Sequence, residues 1–182
     1  KLEVQYTKQS DMVLLENKVA DISEKINKID LEFEECTKLI QNNEKQKQEA
    51  LQKIAEVSRI ADVDIDMEKL YELKYIKFRY GSIPKRNLEE IKKELENLNI
   101  ILLETKDDGD TSWVLYFTTV EYVSEVDGIF NIQKFERELL PEDLTKTPKK
   151  YIMDLKNSIE IKERESNDAL QKIEKLKKEA QT

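Results

Sequence analysis

Apolar and small residues recur at alternating spacings of four and three along the first third of the chain, at Leu15, Val19, Ile22, Ile26, Ile29, Phe33, Cys36 and Ile40. The same register crosses polar Asn43 and Lys47 and resumes at Ala50, Ile54, Val57 and Ala61. A second ladder runs through Ile152, Leu155, Ile159, Lys162, Ser166, Ala169, Ile173, Leu176 and Ala180. Heptads sustained in this way turn one narrow stripe of each helix toward a partner, the pattern of a coiled coil. The outgoing helix is expected to start near Ser10 and Asp11, or earlier if the chain is truncated, and to end around residues 58–62, a length of about 70 to 75 Å. The return helix starts more sharply, with Thr147 as N-cap and Pro148 at the first helical position.

Antiparallel pairing of Ile152 with Ile60 or Ala61 sets Asn43 opposite Ala169, Lys47 opposite Ser166 and Ala50 opposite Lys162. Polar and small residues of both helices then fall in one stretch of the seam, where little apolar area is buried and register is fixed at some expense of stability. The same pairing leaves Leu15, Val19, Ile22 and Ile26 as an apolar stripe without a partner in this chain. The cover is a continuation of the return helix beyond Thr182 or another chain, and the return helix's register, still intact at Leu176 and Ala180, favours the continuation.

Between the ladders the period changes. Residues 75–80 alternate and are rich in β-branched and aromatic side chains, which predicts a strand. Gly81 to Pro84 reads as a loop, and Asn87 with Glu90 resembles a capping box ahead of an apolar face at Leu88, Ile91, Leu95 and Leu98. A second strand is predicted over 100–105, a hairpin turn over Asp107 to Asp110, and a third strand over 111–117. Thr118 or Thr119 is expected to cap a helix carrying Val120, Val123, Val126, Ile129 and Phe130, and 135–139 reads as the fourth strand. Two βαβ-like halves joined by a hairpin make a split, ferredoxin-like sheet with both helices on one face. The fold class is therefore α+β, a long antiparallel two-helix coiled coil with a ferredoxin-like βαββαβ lobe inserted at its tip. The boundaries expected are 1–62 for the outgoing helix, 63–146 for the lobe and 147–182 for the return helix.

Composition supports long helices and removes several functions. Charged residues make up 38% of the chain, with only three Gly and three Pro. The formal net charge is −8, so a nucleic acid or an anionic membrane surface would be repelled unless basic residues were segregated, and the lysine clusters are diluted by acids. No apolar run approaches the ~20 residues needed to span a bilayer. The chain opens at Lys1 without an initiator Met and is expected to be a piece of a longer protein. It has no histidine, which removes the commonest general base and metal ligand. The single cysteine, Cys36, lies on the heptad seam as a small core residue and fits a reducing compartment. The acidic run 107–110 lacks the ligand spacing of a calcium loop. Neither a phosphate-binding loop nor an activated serine is visible, so no catalytic residue, no metal and no cofactor is expected. Trp113 reads as core or sheet-edge packing, with an exposed anchor for a partner as the sharper alternative. Arg79 to Pro84 reads as a strand, tight turn and rigid helix entry, or else as a basic-aromatic edge at the lobe surface.

The stretch from Leu73 through Lys77-Phe78-Arg79-Tyr80-Gly81-Ser82-Ile83-Pro84-Lys85 resembles the "KFRFGRIPKE" segment of subunit I, also called subunit a, of V-type rotary ATPases. Thr111 to Thr118 followed by Glu121-Tyr122 is similar to that family's next strand and its "FTPKEY" helix start. Val126-Asp127-Gly128-Ile129-Phe130, Phe135-Glu136-Arg137 and Leu140-Pro141 match its "VDRIL…FERV…LP" stretch. Tyr80 stands for the usual Phe, Ser82 for Arg, and Thr119-Val120 for Pro-Lys. The resemblance implies a non-catalytic stator arm at the cytoplasmic face of the membrane. That arm links the membrane sector of a proton- or sodium-translocating ATPase to peripheral-stalk subunits E and G and resists rotor torque. It touches the membrane only through the absent C-terminal half. The partner-binding residues it points to are Arg79, Tyr80, Ser82, Ile83, Pro84, Lys85 and Trp113. A small-molecule-sensing regulatory lobe and a generic coiled-coil scaffold are the competing readings.

Overall fold

The structure, a computed structural model, describes the backbone of residues 2–180 and the side chains of residue 16 and residues 18–180. Helix α1 spans Leu2–Val57 and runs into a 3₁₀ turn at Ser58–Ile60. It takes the earlier of the two starts expected, ahead of Ser10 and Asp11. A short helix α2 (Met67–Tyr71) precedes strand β1 (Ile76–Pro84) and helix α3 (Leu88–Leu95). Strands β2 (Ile100–Asp108) and β3 (Thr111–Thr119), helix α4 (Val123–Ile132), strand β4 (Glu136–Glu138) and helix α5 (Pro148–Ala180) follow. The start of α5 at Pro148 is the one read from sequence, and the Tyr151 amide donates to the Thr147 carbonyl at 3.0 Å.

Contacts divide the chain into two compact units, the residues up to Gln48 with those from Ile159 onward, and Glu49–Ser158. Both long helices contribute to each.

In the first unit α1 and α5 run antiparallel. Cys36 packs with Ala169 and Ile173, and Glu32 pairs with Lys172 at 3.0 Å. Nearer the other end of the unit, Lys47 pairs with Glu163 at 2.7 Å. The fully buried Asn43 amide donates toward the Lys162 carbonyl, Glu165 and Ser166 at 3.3 to 3.4 Å. The register thus lies about one helical turn from the one expected. Asn43 does not sit opposite Ala169; its buried amide reaches the Lys162–Ser166 turn, which supplies acceptors for its N–H groups. Val19, Ile22 and Ile26 are exposed, while the side chain of Leu15 lies outside the described residues.

The second unit holds a four-stranded antiparallel sheet in the order β2-β3-β1-β4. Phe78 pairs with Phe117 and Tyr80 with Leu115 across β1 and β3. One face carries Val114 and Tyr116 against Leu88, Ile91 and Leu95 of α3 and Val126 and Phe130 of α4. The other carries Tyr80, Trp113, Leu115 and Phe117 against Val57, Ile60, Met67, Leu70, Leu144 and Tyr151. Seven consecutive residues of β3 are buried because the central strand is covered on both faces.

Several local expectations change. Gly81 to Pro84 is not a loop but the second half of β1, paired with β3 throughout and with β4 at Gly81 and Ser82. Strand β2 runs on to Asp108, so only Gly109 (φ 73°) and Asp110 form the hairpin turn. Strand β3 absorbs Thr118 and Thr119, and α4 starts only at Val123. The short α2 falls between the outgoing helix and the first predicted strand, a stretch in which the sequence pattern predicts no element. Asp66 caps it, accepting from the Glu68 amide at 3.2 Å.

Candidate docking surface

Strand β1 delivers most of the residues that the sequence singles out, and the alternation of the strand sorts them onto opposite faces. Tyr80 is buried on the face that meets Val57 and Tyr151. Its ring stacks on Trp113 with centroids 5.6 Å apart. The Arg59 guanidinium sits 4.0 Å over the Trp113 ring, a cation–π contact. Burial pushes the Tyr80 hydroxyl up to about 12, with Arg59 pulling in the opposite direction. Ile83 is buried in the core beneath α3 and α4. Tyr80, Ile83 and Trp113 therefore act through packing, and the sharper reading of Trp113 as an exposed anchor gives way to the core reading.

The polar members are nearer the surface and are already engaged. Arg79 is half-buried and donates from Nη2 to Asp127 Oδ2 at 3.2 Å and from Nη1 to the Phe78 carbonyl at 3.0 Å. Asp127 Oδ1 also accepts from the Tyr116 hydroxyl at 2.6 Å, and burial together with that carboxylate drives the Tyr116 hydroxyl strongly upward. Ser82 is half-buried between Trp113 and Glu136 in the ladder. Pro84 closes β1, and the Lys85 amide donates to the Asp110 carbonyl at 2.8 Å. The exposed Lys85 ammonium pairs with Asp107 and holds that carboxyl below its usual range. The set thus ties β1 to the hairpin on one side and to α4 on the other.

A second polar clamp was not legible. Asp143, between β4 and α5, accepts from Lys53 of α1 at 2.7 Å and from the Tyr151 hydroxyl at 2.8 Å. The hydrogen bond from Lys53 is the main cause that lowers its carboxyl. Nothing in the neighbouring sequence marks Asp143, because its partners lie on two distant helices. Among the described residues no cluster of three or more His, Cys, Asp or Glu side chains is placed to hold a metal ion. Among them too, no helix is long and apolar enough to cross a membrane.

No protein-family model matches the sequence, and no curated protein matches it. A solved structure does. It is the cytoplasmic N-terminal domain of subunit I, a homolog of subunit a, of V-ATPase, matched with a TM-score of 0.54 at 12% identity. The chain has the fold of that domain. The match covers 80% of this chain and 50% of the other, so the chain spans about half the length of the subunit I domain it matches. At this identity the likeness is one of fold, and it falls on the family whose motifs the sequence resembles on β1 and β3.

Proposed function

We infer that the chain serves as part of the non-catalytic stator of a proton- or sodium-translocating V-type rotary ATPase. In this reading it stands at the cytoplasmic face of the membrane and links the membrane sector to peripheral-stalk subunits E and G. The observation that carries the reading is the fold shared with the subunit I domain. The sequence stretches resembling that family fall on β1, β3 and α4, the elements that build the lobe. We read the lobe, residues 63–146, as ferredoxin-like, because its strand order is the one a split βαβ pair requires. Residues 1–62 and 147–182 are then the two strands of a coiled coil that carries load between attachment points. A sequence without histidine suits a mechanical part better than a catalytic one.

Within this reading the exposed Lys85 and the half-buried Arg79, Ser82 and Pro84 offer contacts to a stalk subunit. Buried Tyr80, Ile83 and Trp113 hold the strands that present them. The test is a pull-down of purified E–G heterodimer by the full chain. Retention at micromolar concentration is the expected result, and no retention at that concentration removes the partner assignment.

A further inference from the structure

Strand β1 is paired along its whole length on one side and only in part on the other. Ile76 to Pro84 all pair with β3, whereas β4 meets only Tyr80, Gly81 and Ser82. The Val120 amide donates to the Tyr75 carbonyl at 3.0 Å, so Tyr75 and every second residue after it exchange hydrogen bonds with β3. Ile76 and Phe78 therefore turn their N–H and C=O groups to the opposite side, where the ladder with β4 has already stopped at Glu138. Pro141 follows shortly after and has no N–H with which to extend it. Among the described residues the one group that hydrogen-bonds to this outward backbone is Arg79, whose Nη1 donates to the Phe78 carbonyl at 3.0 Å. A hollow of about 330 Å³ lies along the open edge, lined beside β1 by Tyr71, Leu73, Leu139 and Leu140.

The side chains at this edge select the occupant. Ile76 and Phe78 share the face on which the half-exposed Tyr71 ring approaches Phe78 at 5.6 Å. Four charged residues line the hollow: Lys77, Arg79, Arg137 and Glu138. Glu138 lies opposite Tyr80 and so falls on the Tyr71 face, whereas Arg137, opposite Gly81, falls with Lys77 and Arg79 on the other. Arg79 is engaged by Asp127. Lys77 and Arg137 are exposed, and neither forms an ion pair with a described residue. One face of the edge is thus mainly apolar and the other carries two available cations. A helix spends its N–H and C=O groups on itself and would leave the Ile76 and Phe78 backbone unanswered. A second copy joined edge to edge would set Lys77 and Arg137 against their own images.

We propose that the outer edge of β1 at Ile76–Phe78 receives an extended segment of a partner protein, added as a strand antiparallel to β1 in line with β4. Its apolar side chains face Tyr71 and alternate with Asp or Glu side chains that face Lys77 and Arg137. Main-chain hydrogen bonds hold the segment, and the alternation gives it specificity. The site belongs to the lobe itself and does not depend on the stator reading.

The experiment follows backbone amide NMR signals of the full chain during titration with the synthetic peptides acetyl-Val-Glu-Val-Glu-Val-amide and acetyl-Val-Lys-Val-Lys-Val-amide. The Glu peptide shifts the Ile76 and Phe78 amides saturably, and the Lys peptide binds at least tenfold more weakly. In the added strand the Val amides face β1 and the Glu amides face away. N-methylation at Val therefore abolishes binding, and N-methylation at Glu leaves it unchanged. The double variant Lys77→Glu, Arg137→Glu, with wild-type circular dichroism, reverses the preference between the two peptides. Lys106→Glu, exposed on β2 at the far edge of the sheet, binds as wild type. No saturable shift at Ile76 and Phe78 with millimolar Glu peptide overturns the site. Binding that survives N-methylation at Val overturns strand pairing, and equal binding of both peptides overturns the acidic preference.

Discussion

A methyl group placed on Gly81 would overlap the Glu136 carbonyl oxygen and lie 2.7 Å from the Phe135 ring. Glycine is required there by close approach of β4. Gly81→Ala should therefore push β4 off the edge of the sheet and cost about 3 kcal/mol, at the upper end of overpacking effects, read as a lower urea midpoint with the slope unchanged. Asp143 acts differently, as a shared acceptor for Lys53 and Tyr151. Asp143→Asn keeps the shape but loses the charge, at about 1 kcal/mol for a partly exposed pair. The sign with pH follows from the lowered carboxyl. Its stabilisation is present above the ordinary carboxylate range and is lost as pH falls through the depressed value. The variant should accordingly lose less stability than wild type between neutral and acid pH in urea titrations. Both residues show where sequence reading stops. Gly81 read as a turn because glycine is common in turns, and the strand that crowds it lies more than fifty positions away.

At the scale of elements, the seam and the sheet answer to different forces. The buried contacts of Cys36 with Ala169 and Ile173 hold α1 against α5 in the first unit. Ile173→Asp would bury a carboxylate with no partner in that seam, at about 3 kcal/mol. Helical ellipticity at 222 nm should fall at lower temperature than in wild type, while the fluorescence of Trp113, buried in the sheet, keeps its wild-type transition. Simultaneous loss of both signals would count against separate stabilisation of the two units. The heptads were readable because their period is local. The pairing of the heptads was not, since the buried Asn43 amide finds its acceptors on the distant Lys162–Ser166 turn. Strand β1 was legible to Tyr80 and then misread as loop, and α2 was missed because its five residues are too few to show a period.

For the whole molecule, burial of tyrosine sets the alkaline limit. The Tyr80 hydroxyl is raised to about 12, and those of Tyr116 and Tyr151 are raised as well, by burial first and then by Asp127 and Asp143 respectively. A hydroxyl raised in the folded state stabilises fully below the unfolded value near 10, and that stabilisation is lost as pH rises through the folded value. From neutral pH, stability should be flat up to about pH 10 and fall beyond it. Tyrosinate absorbance at 295 nm is expected in two steps, the later one coinciding with loss of ellipticity. A single early step, with the fold intact, would mean that these hydroxyls reach solvent without unfolding.

The sequence by itself determined the two heptad helices, the sharp start of α5 at Pro148, four strands with two helices between them, and a composition without histidine. Each of these depends on period, caps and composition, which neighbours along the chain decide. Tertiary structure alone decided the Asn43 register, the burial of Tyr80, Ile83 and Trp113, and the covering of one sheet face by Val57, Ile60 and Tyr151. It also decided where the outer edge of β1 stays open, at Ile76 and Phe78. Those outcomes depend on whether surfaces far apart in the chain complement one another in shape and hydrogen bonding, and no local pattern carries that information.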